Sequence, residues 1–407
     1  MPDQPTSPGG ATSRSPLAVI FLTVFLDLLG FGMIIPILPL YAEKLHATDL
    51  QIGHLLAIYS VMQLVFAPLW GRLSDRAGRR PVLLVSILGS CGSQLGYALA
   101  PSFVWLVVAR GFAGVCGANI GAAQAYIADV TDERSRAAGM GMLGAAFGLG
   151  FVFGPALGGF LSHFGERVPF FVAGALAGVN FLLAVAILRE PRTAATRTHA
   201  RTITWGGLVR TVSNPRLAVL MLLYFVITFG FANLEGTFAL FLQRRFGYER
   251  QGASYLYTYI GVLMVIVQGA LVRRLAPRVG ERALVVTGTL MMAVGMSLLY
   301  FAHHPPLLFI ATGILAIGNG MNTPSLSSLI SRSAAAQQGG VLGVAQSLGA
   351  LARIVGPIFG TWTLAFGVGV PYAAGGTAMA AAFLVALALV QQPRTAVVAE
   401  APQGEGA

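Results

Sequence analysis

The chain has 407 residues, of which 56% are hydrophobic and 10% are charged, and its mean hydropathy is +0.74. This composition excludes an ordinary soluble domain and, with apolar runs of about 20 residues along nearly the whole length, predicts an all-α integral membrane protein. A transmembrane barrel is excluded because its strands would alternate over ~10 residues. The net charge of +11 does not predict nucleic-acid binding, because the basic residues lie in short connections between apolar runs.

Glycines, prolines and charge clusters divide the chain into twelve predicted transmembrane spans. In chain order they lie near residues 17–41, 50–70, 81–100, 103–128, 137–162, 167–188, 216–242, 252–272, 283–302, 306–330, 340–364 and 370–391. Residues 1–16 are rich in Pro, Ser and Gly and lack a signal-peptide pattern. We expect them, like residues 393–407, to form disordered cytoplasmic tails.

An even number of spans places both termini on the same side of the membrane. Most of the 26 Lys and Arg residues then lie in tails and connections on that side, while the opposite connections carry only Lys44, Arg167, Arg244, Arg245 and Arg250. Because basic residues are enriched in cytoplasmic connections, both termini are predicted to be cytoplasmic.

The sequence contains an internal repeat. RLSDRAGRRPVLLV at 72–85 aligns without a gap with RLAPRVGERALVVT at 274–287, and the same offset places Gly-Pro at 154–155 on Gly-Pro at 356–357. Such duplication is a common way to build a transporter whose site lies between the halves. It predicts two parallel six-helix halves and an Arg-rich cytoplasmic linker, at residues 17–190, 216–392 and 191–215 respectively.

Four ionisable residues lie within predicted spans: Asp27, Arg110, Glu235 and Arg353. Each costs ~2.5 to 3.5 kcal/mol on insertion scales unless neighbours or water compensate it. At a rise of 1.5 Å per residue, Asp27 and Arg353 lie about 5 Å apart along the membrane normal, which makes them one possible pair. Arg110 and Glu235 lie at similar depths and are the other possible pair. The four residues are therefore interpreted either as two structural salt bridges or as a site in which the acids exchange protons.

Two motifs carry a resemblance to a known family. The connection GRLSDRAGRR resembles the loop signature of the major facilitator superfamily, G-x-x-x-D-R-x-G-R-R, through Gly71, Asp75, Arg76, Gly78, Arg79 and Arg80. The fifth span resembles the antiporter signature G-x8-G-x3-G-P-x2-G-G, through Gly141, Gly150, Gly154, Pro155, Gly158 and Gly159. With DLLGFGMIIPILP in the first span and ARGFAGVCGANIG in the fourth, the chain resembles the twelve-span drug/proton antiporters that include tetracycline exporters.

The resemblance implies a major facilitator fold in a bacterial inner membrane, alternating between inward- and outward-facing states. It implies a cytoplasmic gate in which Asp75 faces the start of the eleventh helix, near Gly339 and Gly340, while Arg76 meets Asp129. An anion near a helix N-terminus gains ~0.3 to 1 kcal/mol, so such a gate can bias a conformation and still open. For the arginines alone, a solvated basic turn is the alternative.

The same motifs have plain structural meanings. In the fifth span, glycines four apart permit close helix contact, and Pro155 is expected to kink the helix. Asp27 matches the acid of the tetracycline exporters, nine residues before Pro36. The family comparison couples Asp27 with Arg110, which requires roughly 12 Å of vertical reach, so the partner of Asp27 stays open at this point.

Glu235 is flanked on its helical face by phenylalanines, and several polar side chains are candidates for a substrate cavity. The candidate cavity residues are Gln124, Phe231, Asn233, Phe238, Asn319 and Asn322. Amides of this kind also serve as interhelical hydrogen-bonding groups. A carboxyl between aromatic rings and an arginine is suited to changing its protonation when the conformation changes.

No G-x-x-x-x-G-K-[ST] loop, nucleophile–base arrangement or metal-ligand cluster occurs in the sequence, which predicts a carrier that is not an enzyme and needs no cofactor or metal. The expected partners are a small-molecule substrate, protons and the lipid bilayer, and the expected state is a monomer. The predicted function is proton-coupled antiport that exports a small amphipathic or cationic compound. The alternatives are a proton-independent exporter or flippase of a lipid or metabolite on the same fold, and a non-transporting membrane sensor.

Overall fold

The architecture is that of a bundle of long helices, seen in a computed structural model that describes residues 14–131, 133–191, 215–333 and 338–391. The helices are α1 Arg14–Ile34, α2 Leu38–Lys44, α3 Asp49–Ala77, α4 Arg79–Ala98, α5 Phe103–Cys116, α6 Ile120–Val130, α7 Glu133–Leu161, α8 Val168–Ile187, α9 Pro215–Phe246, α10 Arg250–Ile266, α11 Arg273–Val279, α12 Glu281–Phe301, α13 Pro305–Ser333, α14 Gln338–Leu364 and α15 Val370–Gln391. The described residues contain no strand.

Eleven helices within these ranges are long and apolar enough to cross a membrane, and the bent pair formed by α1 and α2 makes a twelfth. The prediction of a twelve-helix membrane bundle is therefore confirmed. The predicted linker and the two predicted tails fall almost wholly outside the described residues.

Three of the predicted spans contain a local departure from α-helical geometry. The first bends by 43° between Ile34 and Leu38, where Pro36 lacks an amide donor and its ring crowds the preceding turn. The fourth passes through a 3₁₀ turn at Gly117–Asn119, and the eighth continues through a π-helical segment at Val267–Val272. The predicted spans had treated each as an uninterrupted helix. By contrast, α7 continues as one helix through Pro155.

We call residues 14–191 the first half and residues 215–391 the second half. Each half has its own buried core. One large cluster of buried side chains, running from Leu217 to Ala386, lies wholly in the second half. A separate cluster around Ile20, Leu83 and Tyr126 lies wholly in the first half. A third cluster contains residues of both halves and therefore lies where they meet.

Candidate functional site

The two halves meet along two seams, one between α3 and α14 and the other between α7 and α10. Glycines allow the close approach. A Cβ at Gly261 would lie 2.8 Å from the Phe151 carbonyl oxygen, and one at Gly159 would lie 2.6 Å from Ser254 Cβ. On the other seam, a Cβ at Gly53 would lie 3.0 Å from the Pro357 carbonyl oxygen. Any larger side chain at these positions would push the halves apart.

The α7–α10 seam closes at one end of the bundle and opens at the other. A Cβ at Gly148 would lie 3.1 Å from Val265 Cγ2, but one at Gly144 or Gly141, on the same face of α7, would meet nothing within 4 Å. Gly269 lies four residues after Val265, in the π-helical segment that follows α10. A Cβ at Gly269 would likewise meet nothing within 4 Å. The halves are thus separated at the end that carries the loop between α3 and α4, which we call the loop end.

At the opposite end, ion pairs join the halves. Arg244, on α9, contacts the carboxylates of Glu43 at 2.9 Å and Asp49 at 2.5 Å. All three side chains are between 23% and 31% exposed, so the pairs are partly screened by solvent. We call this group the outer clasp.

A second pair of bonds reinforces the same end. Glu166, in the first half, accepts from Arg250 of the second half at 2.7 Å and from Lys44 at 3.1 Å. The Arg250–Glu166 pair thus joins the halves beside the outer clasp, while Lys44 binds Glu166 within the first half.

At the loop end, the predicted gate residues form a network within the first half. Arg79, with a side chain only 6% exposed, contacts Asp75 at 2.7 Å, and its Nε donates to Asp129 at 3.1 Å. Asp129, the acid that the resemblance places opposite Arg76, thus also binds Arg79. Its Nη1 also donates to the Ser74 hydroxyl at 3.0 Å.

Glu190, which follows α8, caps the helix that begins at Arg79. Its carboxylate accepts the backbone N–H of Arg79 at 3.0 Å and of Arg80 at 2.8 Å. Gly78 has a φ of +108°, a conformation that favours glycine, and a Cβ there would lie 2.6 Å from the Glu190 carboxylate. This turn is thus packed against a carboxylate of the same half.

The predicted antiporter helix α7 uses its glycines mainly within its own half. Cβ atoms at Gly150, Gly154 and Gly158 would lie 2.7 Å from atoms of α1, for example the Cα of Gly32. The second half repeats the contact, because a Cβ at Gly356 would lie 2.8 Å from Ala232 Cβ of α9. The motif therefore packs α7 against α1, while Gly148 and Gly159 face the seam.

Asp27 lies on α1 inside the first half. The Ser90 hydroxyl and the Asn119 amide are its hydrogen-bonding neighbours. Neither Arg110 nor Arg353 forms an ion pair with it within 4 Å in the described part of the chain. Depth pairs Asp27 with Arg353, and the family comparison pairs it with Arg110; the structure forms neither pair, because polar groups of α4 and of the 3₁₀ turn take that place.

Arg110 is 4% exposed and is held by aromatic rings. Its guanidinium carbon lies 4.6 Å from the ring centroid of Tyr59 and 5.4 Å from that of Phe31, a cation–π arrangement. Among the described residues its Nε has no hydrogen-bond acceptor, and the Tyr97 hydroxyl is its polar neighbour. Ring faces therefore stabilise the charge, and no carboxylate of the described ranges pairs with it within 4 Å.

Glu235, on α9, lines a cavity of about 330 Å³ between the two halves. The charged groups that act on its carboxyl are Arg110 and then Arg353, one from each half, yet neither comes within 4 Å. The depth-based pair of Arg110 with Glu235 is thus near in space but not formed. The remaining lining is mostly apolar, from Ile35, Phe147, Phe151, Phe231, Leu234, Tyr257, Ile260, Met264 and Val265.

The family model of the Major Facilitator Superfamily matches residues 20–279 and 220–406. The chain belongs to the Major Facilitator Superfamily. It is a multi-pass membrane transporter and not an enzyme.

Among its relatives, the tetracycline resistance protein of class E from Escherichia coli is 36% identical over 82% of this chain and 84% of its own. Multidrug resistance protein 2 of Bacillus subtilis is 28% identical over 84% and 87%. The crystal structure of the human organic anion transporter MFSD10 superposes with a TM-score of 0.70 at 27% identity, covering 93% of this chain and all of that one.

The predicted cavity residues of this major facilitator transporter lie in several environments. Phe231 lines the cavity. Asn233 is fully buried and donates to the Pro371 carbonyl at 2.8 Å, and Phe238 is fully buried against Phe241 and Tyr257. These two side chains hold helices of the second half together and do not line that cavity.

The other predicted amides also lie outside that cavity lining. Asn322 is fully buried beside Thr289 and Met292, and Asn319 lies against Met264. Gln124 is exposed on α6. Their depth within a span was readable from sequence, but the direction in which each faces depends on helix packing.

Several functional side chains were not among the predicted site residues. The outer clasp and Glu166 join the halves, and Gln268 and Thr323 add polar groups to the cavity wall. The available sequence signal for the clasp was that Arg244 and Arg250 are two of the few basic residues in the connections predicted to lie outside. The signal for Gln268 was a polar residue inside an apolar span.

Proposed function

We propose that this transporter exports a small amphipathic compound from the bacterial cytoplasm in exchange for protons, by alternating access. Relatives named for tetracycline and multidrug resistance, matched over more than four fifths of the chain, support drug efflux as the activity. The distribution of basic residues supports an inner-membrane protein with both termini cytoplasmic. On that orientation, the open loop end faces the cytoplasm.

The observation that carries the proposal is the state of the two intramembrane carboxyls. Asp27 and Glu235 belong to different halves, and neither forms an ion pair within 4 Å with another described residue. A carboxyl fixed in a permanent salt bridge would stay ionised throughout the cycle. An unpaired carboxyl near a cavity can take up a proton in one conformation and release it in another.

The two seams supply the conformational change that such coupling needs. With the outer clasp formed and the loop end separated, substrate reaches the cavity from the cytoplasmic side. Opening the clasp and closing the loop end would expose the same carboxyls to the other side. The network of Asp75, Arg79 and Asp129 stabilises the first half during this movement.

The test is substrate accumulation in inverted membrane vesicles, with tetracycline and ethidium as probes. Acidification of the vesicle interior should drive accumulation, and nigericin, which collapses the pH gradient, should abolish it. We expect Asp27→Asn and Glu235→Gln each to reduce accumulation at least tenfold, while Glu249→Gln, an exposed residue outside the cavity, leaves it unchanged.

Two results would contradict the proposal. Accumulation that survives nigericin, or that the double variant Asp27→Asn/Glu235→Gln retains in full, would indicate a proton-independent exporter. Binding of a probe to the purified protein without accumulation in vesicles would indicate a sensor.

A further inference from the structure

The second-half helix of the α7–α10 seam is one residue longer than its counterpart in the first half. By the internal repeat, α3 corresponds to α10 together with the π-helical segment and α11. The first-half span Asp49–Ala77 has 29 residues, and the second-half span Arg250–Val279 has 30. Because helix ends vary by a residue or two between methods, the difference must also show at positions fixed by the backbone and by packing.

Backbone conformation on either side of the two helices confirms the extra residue. Before the helix, the positive φ of His46, 62°, recurs 201 residues later at Gly247, 70°. After the helix, the positive φ of Gly78, 108°, recurs 202 residues later at Gly280, 83°. The second half therefore has one residue more between these two points.

The seams narrow the position of the extra residue. A Cβ at Gly53 would meet Thr361 across one seam, and a Cβ at Gly159 would meet Ser254 across the other. Thr361 follows Gly159 by 202 residues, but Ser254 follows Gly53 by only 201. Four buried positions of α3 also recur in α10 at the offset of 201. They are Ile52, Gly53, Leu55 and Ser60, which correspond to Ala253, Ser254, Leu256 and Gly261. The extra residue thus lies between Gly261 and Gly280.

The π-helical segment Val267–Val272 lies in this interval and accommodates the extra residue. In an α-helix, one additional residue rotates everything that follows it by about 100°. A π turn bonds residue i to residue i+5 and absorbs that residue, so the second-half helix ends at Gly280 as α3 ends at Gly78. In α3 the corresponding place holds Pro68, which lacks an amide donor. Both helices are therefore weakened at the same level.

The π-helical segment lies where the seam opens. A Cβ at Gly148 would lie 3.1 Å from Val265, but one at Gly269 would meet no described atom within 4 Å. The first residue of the segment is fixed by α13, because Val267 is buried and a Cβ at Gly320 would lie 3.0 Å from its Cβ. The helix that follows, α11, contains no buried residue. The segment thus joins a fixed part of the second half to a part that is free to move.

We propose that this π turn is a hinge that moves α11 between two positions: the turn is π-helical while the loop end is open and becomes α-helical when the loop end closes. The inference rests on the alternating access of the proposed function. Conversion to an α-helix would rotate α11 by about 100° and move a side-chain tip on a helix about 10 Å wide by up to ~8 Å. Space for this movement lies beside Gly141 and Gly144 of α7, where a Cβ would meet no described atom within 4 Å.

The hinge is in direct contact with the cavity. Gln268 belongs to the π turn and also lines the cavity beside Glu235. A molecule in the cavity that contacts Gln268 differently in the two forms of the turn shifts the equilibrium between them. The state of the cavity is thereby coupled to the position of α11.

Spin-label distances test the hinge in the full-length protein, with its two cysteines replaced by alanine. A label at exposed Arg278 of α11 is paired with one at exposed Ala145 of α7, which reports closing of the loop end. It is paired separately with a label at exposed Leu290 of α12, which reports movement of α11 within its own half. Both pairs are measured with and without tetracycline, in the native background and in Arg244→Ala, which weakens the outer clasp. We expect the Arg278–Leu290 distance to change by several ångström in the same fraction of molecules in which the Arg278–Ala145 distance shortens.

A deletion with a matched control tests the extra residue. Deletion of Gly269 should restore a continuous α-helix with the register of α3, so the melting temperature should change by less than about 5 °C. The Arg278–Leu290 distance should then keep a single value, and tetracycline accumulation in inverted vesicles should fall roughly tenfold or more because the hinge is lost. Deletion of Ala67, from the same place in α3, removes a residue that the first half needs and should lower the melting temperature by more than about 10 °C.

Three results would overturn the inference. A constant Arg278–Leu290 distance while the Arg278–Ala145 distance shortens would show that α11 moves rigidly with its half. Equal destabilisation by the two deletions would show that Gly269 is not a spare residue, and native accumulation after deletion of Gly269 would show that no hinge is needed. Failure of the proposed function is distinguishable, because the Arg278–Ala145 distance would then shorten under none of the conditions.

Discussion

Arg244 offers the sharpest test of the clasp that closes the outer end of the bundle. Its guanidinium bridges Glu43 and Asp49, and it is the second-half member of both pairs. We predict that Arg244→Ala shifts the conformational equilibrium towards an outward-open state without unfolding either half. The core of the second half is untouched by the change, because Arg244 lies in the last turn of α9 at the surface.

The size of the expected shift follows from the solvent exposure of the three side chains in the clasp. The Arg244 side chain is 28% exposed and its partners are 31% and 23% exposed, so each pair is partly screened and contributes roughly 0.5 to 1 kcal/mol. Losing both removes about 1 to 2 kcal/mol from the closed state, which changes the ratio of the two conformations by a factor of ~5 to 30. High salt should reduce the difference between variant and native protein.

The assay is a distance measurement between spin labels on the two halves. Cysteines replace Leu50 and Glu249, two exposed residues near the outer end, in a background in which Cys91 and Cys116 are alanine. Arg244→Ala should increase the population with the longer label distance several-fold.

The neighbouring arginine is a matched control. Arg245 has the same charge and lies on the same last turn, but its Nη1 donates to the Tyr300 carbonyl at 2.8 Å within the second half. Arg245→Ala should leave the distance distribution close to native. Equal shifts in the two variants would refute the clasp, because they would show that net charge alone, and not the bridge to Glu43 and Asp49, sets the equilibrium.

Three further predictions concern stability, measured as thermal unfolding in detergent. Gly154→Ala should destabilise the protein by about 1 to 3 kcal/mol, because its Cβ would lie 2.7 Å from Gly32 Cα. Gly141→Ala, whose Cβ would have nothing within 4 Å, should be neutral or stabilising by up to about 1 kcal/mol. Equal effects of the two variants would exclude the α1–α7 contact as the cause. Asp129→Asn should cost about 1 to 3 kcal/mol by weakening the bond to the buried Arg79, and a neutral result would show that Asp75 alone satisfies that arginine. Glu190→Gln should cost about 1 kcal/mol, since its charge faces two N-terminal amides of α4, and added salt that abolishes the difference would show that a screened surface charge is responsible.

The intramembrane charges show where reasoning from sequence reaches its limit. Rise per residue gave the depth of Asp27, Arg110, Glu235 and Arg353, and these depths allowed two salt bridges. In the structure Asp27 faces Ser90 and Asn119, and the two arginines share Glu235 at a distance. Depth fixes height along the membrane normal, but a contact also needs the direction in which each side chain leaves its helix.

The sequence alone determined the membrane bundle, because backbone groups in lipid must be satisfied within helices and apolar runs of sufficient length recur along the chain. It also determined which residues bear charges within spans and which glycines permit close packing. Only the tertiary structure decided that Gly154 meets α1 and Gly159 meets Ser254 of the other half, and that Arg244 bridges to Glu43 and Asp49. The reason is physical: helix formation depends on neighbours within a few residues, whereas seams, clasps and cavities depend on how helices distant in sequence turn and pack against one another.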